Sequence, residues 1–138
     1  MKKNKLVVDF DYNFELWGLS TAIKGYRLAW ELNKKLGIKL IKQPDLLVGF
    51  KNEKECSFSY FSYSTPLNHI KLFKNRAEEE GKYFLVPEFP HGDYIAYLQI
   101  QESMLQEKFV DLVRGISSVS MVFSIPVDSL KSKSNFVF

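Results

Sequence analysis

Apolar side chains recur with helical spacing in two stretches of the chain. The first helix is predicted over Thr21–Leu36, with Ser20 or Thr21 in position to cap its start and Gly37 at its end. The second is predicted over Ser103–Arg114 and also stops at a glycine. Each helix has a charged side and an apolar side, so we expect both to cover a core.

The apolar side of the first helix is wide. Placed at helical angles, it comprises Tyr26, Leu28, Ala29, Trp30, Leu32 and Leu36. Asn33 falls inside this side, where a hydrogen bond to a neighbouring backbone group is more frequent than a ligand contact. We therefore expect this whole side to be buried, with Asn33 bonded to backbone.

Elsewhere the period changes to two, which is typical of strands with one buried face. In "DYIAYLQIQ" (Asp93–Gln101) the predicted inward side chains are Tyr94, Ala96, Leu98 and Ile100. In "SSVSMVFSI" they are Val119, Met121, Phe123 and Ile125. Further strands are predicted at Lys5–Asp9, Phe14–Leu19, Ile38–Ile41, Leu46–Phe50, Ser57–Ser64, Ile70–Lys74 and Tyr83–Val86.

Two strand-helix-strand units, Phe14–Ile41 and Asp93–Ile125, bracket this order. Right-handed crossovers place both helices on one face of the sheet. We predict a single α+β domain over residues 1–138, a two-layer sandwich with a mainly antiparallel sheet. It is loosely ferredoxin-like, with hairpins inserted between the halves. The other face of the sheet is then exposed to solvent, lined by aromatic side chains or covered by a partner.

The composition limits the cellular locations and the partners that we expect. The chain has 138 residues and a net charge of +3, which favours an anionic partner only slightly. Cys56 is the only cysteine, so an internal disulfide is excluded and a reducing cytoplasm is expected. No apolar run has the length of a membrane-spanning helix or the pattern of a signal peptide. We expect no membrane partner.

The segment "VPEFPHGDY", Val86–Tyr94, concentrates prolines, a glycine, two carboxylates and a histidine. We predict a hairpin between Tyr83–Glu88 and Asp93–Gln101, with the loop between them. That hairpin brings Glu88 and Asp93 together with His91 above them, which is one arrangement for acid–base catalysis. Carboxylates beside turns more often bond backbone amides, so we favour a structural turn and predict a structural role for Asp93.

The same segment resembles the signature of the IPExxxVDY family, a group of bacterial proteins known mainly from the Bacteroidetes. The match comprises Val86, Pro87, Glu88, Asp93 and Tyr94. Val86 stands for isoleucine, and Gly92 stands where the motif has valine. The resemblance implies no established activity, so the turn residues Val86, Pro87, Glu88, His91, Gly92, Asp93 and Tyr94 are candidate site residues without an assigned chemistry.

Other chemistry has little support in the sequence. Cys56, His69 and His91 do not stand at metal-ligand spacing, and the glycines form no phosphate-binding loop. No base lies near Cys56 to activate it as a nucleophile. We expect no metal, no cofactor and no catalytic residue, and an enzyme is the less favoured class.

The strand "CSFSYFSYS" carries aromatic side chains on both faces: Phe58 and Tyr60 on one, Phe61 and Tyr63 on the other. One interpretation is a protein interface, with one face under the helices and the other against a second subunit. The alternative is a platform on which RNA bases stack, flanked by Lys71 and Lys74. The low net charge favours the protein interface.

We therefore predict a cytoplasmic, non-catalytic interaction or regulatory module that self-associates through an aromatic sheet face, as a homo-oligomer or with another cytoplasmic protein. One alternative is an RNA or single-stranded nucleic-acid-binding protein. The other is a small-ligand sensor, because "FVDLVRGISSVSMVFSIP" has the helix, glycine and strand order of ACT-type domains.

Overall fold

The computed structural model describes residues 13–50, 54–79 and 83–137. Within these ranges the chain forms six strands and two α-helices. The elements are β1 Glu15–Thr21, α1 Gly25–Leu36, β2 Ile41–Gly49, β3 Glu55–Ser64, β4 Asn68–Lys74, β5 Tyr94–Ile100, α2 Ser103–Arg114 and β6 Val119–Ile125. The strand predicted at Lys5–Asp9 lies outside the described residues.

The strands form one sheet in the order β2-β3-β4-β5-β1-β6, and every neighbouring pair is antiparallel. Helix α1 carries the chain from β1 to the far edge at β2, and α2 carries it from β5 across β1 to β6. The predicted two-layer α+β fold is confirmed.

Both helices lie over one face of the sheet and share a core with it. Leu28, Ala29 and Leu32 of α1 and Phe109 and Val113 of α2 are buried. They belong to one apolar cluster with the sheet residues Leu19, Ile70, Leu72, Tyr94, Ala96, Leu98 and Val122. We call this the helix side of the sheet.

Helix α1 is shorter and more exposed than predicted. It begins at Gly25, after the cap residue Lys24, because Thr21 completes β1 instead. Tyr26 is 69% exposed and Trp30 51% exposed, so the prediction that they are buried was wrong. An outer-layer helix touches the sheet along a narrow stripe, which leaves the edges of its apolar side in solvent.

The prediction for Asn33 is confirmed. Its Nδ2 donates to the Leu40 carbonyl at 3.3 Å, and its Oδ1 accepts from the Leu40 amide at 2.7 Å. The chain between them turns at Gly37, whose φ of 68° is left-handed and favours glycine. Asn33 thus fastens the end of α1 to the start of β2.

The opposite face of the sheet is largely covered by the chain itself. Residues 83–92 and 126–137 lie over it, and the second segment includes two short 3₁₀ helices, Val127–Ser129 and Lys133–Phe136. The buried members of this second core are Phe14, Leu16, Cys56, Phe58, Phe73, Ala77, Leu85, Val86, Ile95, Tyr97, Ile125, Leu130 and Phe136. We call this face the loop side of the sheet.

Because the chain covers both faces of the sheet, buried and exposed side chains do not alternate along the strands as predicted. Ile95 and Tyr97 of β5 are buried on the loop side, whereas a single-faced strand would expose them. In β6, Val122 is buried on the helix side and Met121 is 44% exposed, which reverses the predicted phase for these two residues. A register shift at Ser20 and Thr21 explains why Val119 still packs on the helix side.

The predicted hairpin between Tyr83–Glu88 and Asp93–Gln101 does not form. β5 pairs with β4 and β1, and residues 83–88 contribute only the isolated bridge between Phe84 and Arg76. The strand predicted at Tyr83–Val86 was therefore wrong. The strand predicted at Ile38–Ile41 was wrong except for its last residue, because β2 begins at Ile41. The strand predicted at Leu46–Phe50 forms the second part of β2, up to Gly49, after an irregularity around Pro44.

Candidate functional site

The segment from Val86 to Tyr94 is organised around one buried side chain, Asn75, which follows directly after β4 and is 1% exposed. Its Nδ2 donates to the carbonyl oxygens of Phe89 at 3.0 Å and Gly92 at 2.9 Å. Its Oδ1 accepts from the Val86 amide at 2.8 Å. Buried backbone groups need hydrogen-bond partners, so this carboxamide allows an irregular loop to pack on the sheet.

Glu88 connects this loop to the C-terminal segment. Its Oε2 accepts from the amides of Lys131 at 2.7 Å and Ser132 at 3.1 Å, and its Oε1 accepts from the Ser132 hydroxyl at 2.8 Å. Burial by itself raises the pKa of the Glu88 carboxyl, but the hydrogen bonds outweigh it and hold the pKa below its ordinary value. The charged carboxylate is therefore the form that fits this position.

Asp93 and Tyr94 hold the connection between β1 and α1. The Asp93 Oδ2 accepts from the Thr21 amide at 2.8 Å, and the Tyr94 hydroxyl donates to the Ile23 carbonyl at 3.2 Å. Burial, followed by the charges of Asp93 and Glu78, raises the pKa of the Tyr94 hydroxyl. These contacts are what a structural role for Asp93 requires.

His91 and Gly92 pack against β6. The exposed His91 ring stacks on Phe123, with centroids 4.8 Å apart and planes at 24°. A Cβ added to Gly92 would lie 3.1 Å from Cζ of the same Phe123 ring. The valine that the resembled motif has at this position would need Phe123 to move, so Gly92 and Phe123 fit each other.

Glu88, His91 and Asp93, the candidate acid–base group, therefore contact three different parts of the fold. Glu88 binds the C-terminal segment, Asp93 binds the end of β1, and His91 stacks on β6. Pro87 is exposed and Val86 is buried under the loop. The geometry supplies three structural anchors, and the hairpin on which the acid–base alternative depended is absent.

The aromatic residues of β3 alternate between the two faces as predicted. Phe58 is completely buried on the loop side, and Tyr60 is half-buried there, stacked on Phe73 at 4.9 Å. Phe61 and Tyr63 pack at the edge of the helix-side core. Phe58 is therefore inaccessible to a second subunit in this fold.

Lys71 and Lys74, like the aromatic residues of β3, lie on opposite faces of the sheet. The Lys71 ammonium lies 5.7 Å from the centre of the Tyr60 ring on the loop side, and partial burial lowers the pKa of Lys71. Lys74 pairs across the strands with Tyr94, a helix-side residue, and forms an ion pair of 3.7 Å with Glu78. The residues predicted to form one aromatic and basic platform do not share a surface.

The two outer strands differ in a way that sequence reasoning missed. β2 carries Lys42 and Asp45, joined by an ion pair of 3.2 Å, with Pro44 between them and an irregular register. β6 contains no charged residue and no proline, and Met121–Ile125 pair regularly with β1. In the described part of the chain, no strand pairs with the outer side of β6.

Sequence reasoning also missed Asn75. An asparagine after a strand is typical of an ordinary exposed turn, and nothing in its neighbours distinguishes a buried one. The only local signal is its position between the end of β4 and a polar stretch.

Within residues 13–50, 54–79 and 83–137, no cluster of three or more His, Cys, Asp or Glu side chains is placed to hold a metal ion. Nor does any helix in those ranges have the length and apolarity needed to cross a bilayer. No family model, curated protein or solved structure matches the chain.

Proposed function

We propose that the chain is a cytoplasmic, non-catalytic interaction module that self-associates, and that two copies join through the outer edge of β6. This keeps the self-association expected from the sequence and moves it from the aromatic β3 strand to a sheet edge. We also propose, on the residues Val86, Pro87, Glu88, Asp93 and Tyr94, that the chain is related to the IPExxxVDY family.

The observation that carries the proposal is the contrast between the two sheet edges. An open edge strand invites pairing with another chain, and proteins guard against this with charges, prolines and bulges. β2 has all three devices, whereas β6 has no charge and no proline, and its one register shift, at Ser120, leaves Met121–Ile125 regular. A regular, uncharged edge of this kind fits a strand whose partner is another copy of the same protein.

The side chains of β6 suit antiparallel self-pairing. A two-fold axis at Val122 places Met121 opposite Phe123, and residues of equal parity share a face within the regular stretch Met121–Ile125. The pairing would cover Met121, which is 44% exposed. It leaves no charge at the interface.

The motif loop supports this edge from the loop side. Phe123 contacts Gly18 and stacks on His91, so its ring is fixed next to the proposed interface. A non-catalytic role is consistent with the structural partners already bound by Glu88 and Asp93.

The test is sedimentation velocity of the full chain over a concentration series, with Met121→Lys as the variant and Leu47→Lys as its control on the β2 edge. Leu47 is 60% exposed, so each variant adds one charge to one edge. We expect a wild-type dimer that Met121→Lys converts to a folded monomer, because the dimer would bury the new ammonium group. Leu47→Lys should remain dimeric.

A wild-type protein that stays monomeric at every concentration would overturn the proposal. So would dissociation of the dimer by Leu47→Lys while Met121→Lys has no effect, because the interface would then lie at β2. Circular dichroism of both variants establishes that they are folded. If Met121→Lys does not fold, Ser124→Lys, at another exposed position of β6, replaces it.

A further inference from the structure

A cavity of about 300 Å³ lies where β1 begins and β6 ends. Its walls include Glu15 and Trp17 of β1, Ser124 of β6 and Asp128, which follows β6. Glu15 accepts a hydrogen bond from Gln106 of α2, so this carboxylate lies on the helix side of the sheet. The cavity therefore adjoins one end of the β6 edge at which we propose that two copies join.

The Glu15 carboxylate has hydrogen-bond partners but no counter-ion. Its donors are the uncharged Nε1 of Trp17 and Nε2 of Gln106, each at 3.2 Å, and no cation pairs with it in the described ranges. A carboxylate has about four acceptor positions, so it can bind a further donor. Asp128 differs, because the Lys133 ammonium donates to its carbonyl oxygen at 3.3 Å. We therefore count only Glu15 as an uncompensated charge.

Arg114 is an unpaired cation near the other end of β6. It is the last residue of α2, is exposed and lies shortly before Val119, where β6 begins. The turn between them is tight, since the Val119 amide donates to the Ile116 carbonyl at 3.0 Å. Among the residues that the structure describes, none forms an ion pair with Arg114. Each copy thus has a free cation near the start of β6 and a free carboxylate near its end.

The two-fold axis of the proposed dimer brings these opposite charges together. Antiparallel pairing about Val122 places the start of β6 in one copy beside the end of β6 in the other, and it continues the helix side of one sheet into that of its neighbour. Helix α2 packs on β6 from the helix side, so Arg114 and Glu15 lie in the same layer. Because the two copies are related by a two-fold axis, the contact occurs twice.

We propose that Arg114 of each copy enters the cavity of the other copy and pairs with Glu15. This contact rests on the proposed dimer and lies beyond the ends of the paired stretch Met121–Ile125, which has no charge of its own. A guanidinium suits the cavity because it binds a carboxylate through parallel hydrogen bonds and stacks on aromatic rings such as Trp17. A shifted strand pairing would separate both ion pairs, so they fix the register that the uncharged edge leaves open.

The test is a charge exchange, with the dissociation constant of the full-chain dimer measured by sedimentation equilibrium at low and high salt. Arg114→Glu should raise this constant at least about tenfold, because it places two carboxylates together. Arg114→Glu/Glu15→Arg should bring it back to within about threefold of the wild type. The control is Lys35→Glu, the same charge reversal at an exposed position of α1, the helix that leads to the opposite edge strand β2. It should leave the constant unchanged, and high salt should weaken the wild-type dimer.

The outcomes separate this contact from self-association itself. A wild type that stays monomeric at every concentration would overturn both. A wild-type dimer on which Arg114→Glu acts no more strongly than Lys35→Glu, or that the exchanged variant does not restore, would overturn the ion pair and leave the β6 interface standing. If the exchanged variant does not fold, Glu15→Gln, which has the same shape without the charge, replaces it. That variant should form a weaker dimer with less salt dependence, and an unchanged constant would also overturn the ion pair.

Discussion

The two faces of the sheet are covered by different kinds of structure, which satisfy their backbone hydrogen bonds in different ways. On the helix side, α1 and α2 satisfy their own backbone hydrogen bonds and need only an apolar stripe to dock. On the loop side, irregular segments 83–92 and 126–137 cover the sheet, and their backbone groups depend on side chains from elsewhere. Asn75, Glu88 and Asn135 supply those hydrogen bonds.

The difference shows where the fold is most sensitive to a single polar substitution. A helix that loses one apolar contact keeps its internal hydrogen bonds, whereas a buried loop that loses its polar partner leaves several backbone groups unsatisfied. Val86, Pro87 and Glu88 of the motif resembling IPExxxVDY lie on the second kind of structure, and Asp93 and Tyr94 follow it at the start of β5. Its charged residues, Glu88 and Asp93, therefore accept hydrogen bonds from backbone amides that the sequence alone does not identify.

The largest effect is expected for Asn75→Ala. Removing the carboxamide leaves the Val86 amide and the Gly92 carbonyl without the partner that Asn75 supplies, and leaves the Phe89 carbonyl with only the Gly92 amide. We expect the free energy of unfolding to fall by about 3 kcal/mol, measured by urea denaturation.

The matched control is Asn33→Ala, which removes two hydrogen bonds to Leu40 at a half-buried position on the helix side. We expect a loss of about 1 kcal/mol. Equal losses in the two variants would contradict the distinction between the faces.

A smaller effect is expected for Gly92→Val, which introduces the valine that the resembled motif has at this position. The new side chain would press on the Phe123 ring, already 3.1 Å from the position of a Cβ. We expect a loss of about 2 kcal/mol from overpacking, measured as a shift of the thermal midpoint.

Gly49→Val is the control for this substitution, because nothing lies within 4 Å of a Cβ at Gly49. Its stability should stay close to that of the wild type. If Gly92→Val were equally neutral, the ring of Phe123 would be free to move. A mobile ring would not support the β6 edge.

The smallest effect concerns the Glu88 carboxylate and depends on pH. Its pKa in the folded protein lies below the ordinary value, so its contribution to stability is present above the unfolded pKa and is lost as pH falls through the folded pKa. We expect Glu88→Gln to reduce this acid dependence and to increase hydrogen exchange in residues 126–137. Exchange spread evenly over α1 and α2 would show that Glu88 does not act on the C-terminal segment.

Much of the architecture follows from local patterns. The period of 3.6 identified both helices, with α2 matching its predicted range, and the period of two identified the strands that became β1, β3, β4, β5 and β6. Two of the failures arise because the chain covers both faces of the sheet. A strand covered on both faces, such as β5, loses its alternation, and a loop packed on a sheet, such as residues 83–88, has the apolar content of a strand.

For the candidate site, the sequence identified the motif residues but not their partners. Glu88 reaches Lys131 and Ser132 more than forty positions away, and Asp93 reaches Thr21. Such contacts have no signature in the neighbouring sequence, because they depend on which segments the fold brings together.

By itself the sequence determined the helices, most strands, the glycine turn after α1 and the division of β3 into two faces, since these depend on neighbours a few positions apart. Only the tertiary structure decided that the chain covers its own second sheet face, that Asn75 holds the motif loop, and that β6 is left as an edge. Those outcomes depend on strand order and on long-range packing, which set the partner of each buried polar group and the strand that lacks one.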